Sequence, residues 1–95
     1  MKLVLCNCPP DQAKEIAQKL VEKRVAACVN IIGGVESVYR WDGEIVADVE
    51  RTLLIKTTED RMPKLHAILV QIHPYDVPEI IVIDIDRALS HGPYL

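Results

Sequence analysis

Three features of the sequence predict an α+β sandwich. Apolar residues recur at helical spacing within 11–26 and again within 60–72. Strand-like runs flank both stretches. Between the helices, Asp42-Gly43 joins two long extended arms, a strong two-residue hairpin signal because a type I′ turn needs positive φ at both positions. The order is β-α-β-β-α-β. Short connections and right-handed crossovers turn that order into a ferredoxin-like sandwich: a four-stranded antiparallel sheet, helices on one face, and a long protruding β-hairpin. One domain over residues 1–95 is expected, with no linker, repeat or low-complexity segment.

Each element has a local cause. Lys2 to Cys8 alternates, with Leu3, Leu5 and Asn7 on one face and Val4, Cys6 and Cys8 on the other. Pro9-Pro10-Asp11 stops that strand and opens a helix, and Asp11 suits the positive helix end. Ala13, Ile16, Ala17, Leu20 and Val21 form its apolar face. Ala26 to Ile32 reads as a buried strand with Cys28 in the core, and Gly33-Gly34 as a bend or bulge. Val35 to Trp41 continues extended, and the chain returns from Glu44 to Thr58. A tight turn sets Trp41 against Glu44, Arg40 against Ile45 and Tyr39 against Val46. Asp60 is read as the next N-cap, with Pro63 still in the first turn and Met62, Leu65, Ile68, Leu69 and Ile72 as the stripe. Pro74 ends the helix. Ile80 to Ile85 is the last strand, and Gly92-Pro93 favours a turn in the tail.

The hairpin predicts assembly. An arm of about fifteen residues at ~3.3 Å per residue spans roughly 50 Å. A compact domain of this length has a radius of gyration of ~12 Å and a diameter near ~30 Å. The distal part, with Val38, Tyr39, Trp41, Ile45 and Val46, therefore outruns its own domain and presents an apolar edge that pairs with other chains.

Composition narrows the function classes. The chain is 49% hydrophobic and 26% charged, with a net charge of −3. It has no basic run and no aromatic stacking platform, which argues against a nucleic-acid partner. The apolar start breaks at Asn7, too short for a signal core or a membrane span, and no other stretch is long enough. A cytoplasmic protein with no membrane association is expected. Its cysteines, Cys6, Cys8 and Cys28, are odd in number and read as reduced thiols.

Few constellations carry chemistry. Cys6 and Cys8 share one strand face, as small buried hydrophobes or as a soft-metal or redox pair. His73 sits at a helix C-terminus, where an imidazolium is favoured and a neutral imidazole is free to bind metal. His66 is two turns earlier, ~10 Å away, too far to share one ion. Asp76, Glu79, Asp84 and Asp86 read as solvated charges or as acid–base groups without a nucleophile. No phosphate loop follows Gly33-Gly34, no Ser-His-Asp logic exists, and no enzymatic role is expected. Thiolate and imidazole together favour copper or zinc over magnesium or calcium.

LVEKRVAACVNII, SVYRWDGEI, IKTT and HPYDVPEI, in this order and spacing, resemble the CutA divalent-cation-tolerance family. The resemblance runs from residue 3 to about residue 86 and is most specific in RWDGE and HPY-x-x-PE. It implies a homotrimer, tolerance to divalent cations and chiefly copper, and a build like the PII-type trimeric signal proteins. Its metal positions match Cys6, His73 and Glu79. Some members carry a second histidine where this chain has Ile72, and Cys8 is untypical. The family usually continues into a Trp-containing helix where this sequence ends at Tyr94-Leu95. The alternative is a PII-like signalling or scaffold module that binds a small molecule or partner protein in its inter-subunit cleft.

Overall fold

A computed structural model of the chain describes residues 1–89. The tail turn at Gly92-Pro93, His91 and Tyr94-Leu95 lie outside the described residues. The elements are β1 (Lys2–Cys8), α1 (Ala13–Glu22), β2 (Cys28–Trp41), β3 (Glu44–Thr57), α2 (Met62–Ile72) and β4 (Ile81–Asp84). The strands form one antiparallel sheet in the order β2-β3-β1-β4, the expected ferredoxin-like arrangement.

The core lies between the sheet and the helices. Val4, Cys6 and Cys8 of β1 and Leu53 and Ile55 of β3 meet Ile16, Leu20, Leu65 and Leu69 there. The opposite sheet face carries Leu3, Leu5, Leu54, Ile32, Ile81 and Ile83, and no helix among the described residues covers it. β2 departs from the buried strand expected of Ala26–Ile32. It is an edge strand, so Ile31 is exposed even on the helix side, while Ile32 is exposed and Cys28 only half-buried on the opposite face. Val21 likewise lies outside the apolar face of α1 and is exposed.

Short 3-10 turns, Pro10–Gln12 and Glu59–Arg61, introduce both helices. The second puts Arg61, not the expected Asp60, at the N-cap of α2 without a side-chain capping bond, and the hydroxyl of Thr58, extended before the turn, donates to Asp60 Oδ1 at 2.6 Å. α1 ends in a Schellman motif: Val25 N–H donates to Leu20 O and Arg24 N–H to Val21 O. Arg24 there has φ of 59°, a left-handed conformation that glycine adopts without cost. Arg24→Gly is expected to raise the unfolding free energy by about 0.5–1 kcal/mol, measured by urea denaturation. An unchanged or lower midpoint would contradict this.

The hairpin has the expected register at its tip, with φ of 48° at Asp42 and 79° at Gly43. Gly33 and Gly34 together oppose Arg51, a bulge permitted by φ of 69° at Gly34. The molecule measures 47 × 25 × 21 Å, with a radius of gyration of 14.0 Å, so the hairpin does project beyond the sandwich. Beyond the bulge its two faces differ. Ser37, Tyr39 and Trp41 share one face with Glu44, Asp48 and Glu50, while Val38 shares the other with Ile45 and Val49.

Candidate functional site

The site lies where α2 gives way to β4. Pro74 forces His73 out of the helix, with φ of −73° and ψ of 136°. The imidazole then turns inward over the end of β1 and is 6% exposed. Its Nε2 is 2.8 Å from Asn7 O, and its Nδ1 accepts the Tyr75 N–H at 3.1 Å. A carbonyl only accepts, so Nε2 carries the proton and the ring is the neutral Nε2–H tautomer. The His73 ring also packs against Tyr75, with centroids 4.7 Å apart.

The Asn7 carbonyl has a second donor. Cys6 S–H reaches it at 3.7 Å, so the thiol and the imidazole converge on one oxygen. Asn7 Oδ1 accepts the Thr52 hydroxyl at 2.6 Å, which fixes this strand end. Cys8 is wholly buried, with its thiol directed to Arg51 O at 3.8 Å rather than toward His73. Burial pushes the Cys6 thiol from its ordinary 9.0 up to about 12, with Cys8, Glu50 and Glu79 adding to the shift. The Cys8 thiol is raised too, chiefly by burial.

Tyr75 links this cluster to a cleft. Its hydroxyl donates to Glu50 Oε2 at 2.6 Å, and burial followed by this bond pushes its ionisation upward. The cleft, about 640 Å³, lies between the Tyr75–Glu79 loop and the Tyr39/Trp41 face of the hairpin, with Asn7 at its base. Glu79 and Asp76 line it together with Glu50. Glu50 and Tyr39 belong to the site although sequence reasoning passed over them. Alternation of Glu44, Asp48 and Glu50 on one face of the returning arm is the signal that marks them.

Cys6 and His73 are thus brought together, and the Glu79 carboxylate is near enough to raise the Cys6 thiol. The donor types suit copper. As folded, however, the imidazole has both nitrogens engaged, the thiol is protonated, and no three His, Cys, Asp or Glu side chains converge on one point among the described residues. Asp84 belongs elsewhere: it pairs with Lys2, whose ammonium also reaches Glu59 at 3.1 Å. His66 is exposed and lines a separate shallow groove with Met62 and Val82.

The raised thiol has a consequence for stability. The folded chain keeps the Cys6 proton where the unfolded chain, titrating near 9.0, has lost it. Stability is therefore full below pH 9.0 and falls as pH rises toward about 12. Tyr75 acts in the same direction. Denaturation midpoints followed from pH 8 to 11 (about three pH units of the window) are expected to fall less steeply in Cys6→Ala. Parallel slopes would contradict the assignment.

The family model for the CutA1 divalent ion tolerance protein matches residues 2–94. The divalent-cation tolerance protein CutA of Thermus thermophilus is 49% identical over 85 residues, covering 88% of this chain and 82% of its own. Protein CutA of mouse is 43% identical over 90 residues, and this chain spans only 50% of its length. The solved Thermus thermophilus structure superposes with a TM-score of 0.87 at 48% identity, covering 93% of this chain and 87% of that one. A PII-like protein CutA from Nostoc, in apo form, gives 0.86 at 40% identity, covering 90% and 82%. No helix among the described residues is long and apolar enough to cross a membrane.

Proposed function

This chain belongs to the CutA1 divalent ion tolerance family, and on that premise we propose that it acts as a cytoplasmic homotrimer that engages a divalent cation. Copper is the leading ion, and Cys6, His73 and Glu79 are the residues that would hold it. The observation that supports this reading is the convergence of Cys6 and His73 on the Asn7 carbonyl, beside a cleft lined by carboxylates. Bound there, the ion would supply positive charge to a site that has none of its own. No catalytic role is proposed.

The chain's own residues set the terms of binding. His73 must give up the Asn7 carbonyl or the Tyr75 N–H to free a nitrogen. Freeing one costs about 1–3 kcal/mol and weakens apparent affinity roughly 10–100-fold relative to an open site. Cys6 must lose its proton, so affinity rises with pH. Both features suit a protein that responds to abundant metal and ignores traces.

The trimer reading is supported by the uncovered apolar sheet face and by the hairpin that outruns its own domain. Sedimentation or light scattering should give about three times the 10.7 kDa chain mass. A concentration-independent monomer would contradict it. The second reading, a PII-like module that binds a small molecule, is favoured by the size of the cleft, about 640 Å³, which is in the range of small-ligand pockets. Thermal shift with metabolites in the absence of metal tests it.

A further inference from the structure

We infer that the cleft between the hairpin and the Tyr75–Glu79 loop is a site for a small organic cation, a primary ammonium or guanidinium on a short apolar chain. The inference goes beyond a metal-ion role and rests on the small-molecule reading of the cleft.

Charge defines the class. Glu50, Asp76 and Glu79 line the cleft, and among the described residues no lysine or arginine does. The ion pairs among the described residues are those of Lys2 with Glu59 and Asp84, which leave these three carboxylates without a cation. Glu50 is the decisive one. It is 8% exposed, and charged side chains that deeply buried are almost always paired. Its Oε2 accepts only the neutral Tyr75 hydroxyl, and the cleft is where a cationic group can reach it. An anionic ligand would meet uncompensated repulsion from the same three groups.

The walls distinguish an organic cation from a metal ion. Tyr39 and Trp41 stand on the hairpin side, and the Tyr39 hydroxyl is held by Asp48. An aromatic face attracts an ammonium or guanidinium and contributes nothing to a metal's coordination shell. Val77 adds apolar surface that suits a short alkyl chain. Carboxylate, aromatic face and apolar wall within one cleft are the components of an amine site.

Trp41 is the single tryptophan of the chain and lines this cleft, so its fluorescence reports on occupancy there at fixed assembly state. The assembled protein is titrated with n-butylammonium chloride, with sodium butyrate and butanol as matched probes and constant ionic strength. A saturable change in Trp41 emission is expected with butylammonium alone. Glu50→Gln, which keeps an acceptor for Tyr75, should weaken it at least ~10-fold. Asp76→Asn, on an exposed loop, should weaken it to a lesser degree and provides the readout if Glu50→Gln does not fold. Equal responses to butanol or butyrate would overturn the cation class and leave the small-molecule reading standing. Silence of every organic probe would overturn both. A response confined to a disassembled variant would show that a second copy of the chain fills the cleft, and would also overturn the proposal.

Discussion

Replacing His73 by alanine is expected to lower the unfolding free energy by about 2–4 kcal/mol, a large share of what a domain of this size possesses. The side chain is 6% exposed and both ring nitrogens are bonded to backbone groups. Its removal leaves the Tyr75 N–H without its acceptor and the Asn7 carbonyl with only the weak Cys6 thiol. A buried polar group deprived of its partner costs about 1–3 kcal/mol, and lost packing against Tyr75 adds to it. The effect should extend to the cleft, because Tyr75 loses the support that holds its hydroxyl on Glu50. His66→Ala is the control: an exposed helical histidine should change stability by less than about 0.5 kcal/mol. Urea denaturation of the two variants measures both effects, and a His73→Ala loss no greater than that of His66→Ala would refute the anchoring role.

Ile45→Asp combined with Val49→Asp is expected to disassemble the proposed trimer. These residues are 69% and 63% exposed on the hairpin face turned away from the cleft, beyond the reach of α1 and α2. Burial of each in an interface contributes about 1.5 kcal/mol or more per subunit. Aspartate removes that contribution and places a charge in an apolar contact, which costs further. The strand pair itself should survive, because both side chains are exposed in the protomer. Light scattering should then report a mass that depends on concentration, with unchanged circular dichroism. A trimer that persists would locate the contact on the apolar sheet face of Leu5, Leu54 and Ile81 instead.

Much of the fold is legible because local and global signals agree. Val4, Cys6 and Cys8 alternate with Leu3, Leu5 and Asn7, and the structure separates these sets onto two sheet faces. Asp42-Gly43 sets the hairpin register by turn chemistry alone. The departures occur where tertiary context decides. AACVNII is apolar enough for an interior strand, yet β2 is an edge, so Cys28 and Ile32 face an uncovered surface. Asp60 has the chemistry of a cap, yet the 3-10 turn Glu59–Arg61 takes it up and leaves Arg61 at the N-cap of α2.

The candidate site was half legible. His73 stands out because Pro74 follows it, and Cys6 because it shares one strand face with Cys8. The Asn7 carbonyl that joins them has no signature, since every residue carries one. Glu50 is placed on the face of Tyr39 and Trp41 by the unbroken register from the turn, but alternation alone does not show that the Tyr75 loop folds over it.

The central claim is that this family member engages copper through Cys6 and His73. Titration of Cu(I) and Cu(II) into the purified oligomer, wild type against Cys6→Ser/His73→Gln, tests it most directly. His73→Gln is chosen because it keeps much of the buried volume, and the variant's circular dichroism confirms its fold. Binding at least ~10-fold weaker in the double variant, with the loss greater for Cu(I), is the expected result. Equal affinity in the two proteins would contradict the claim.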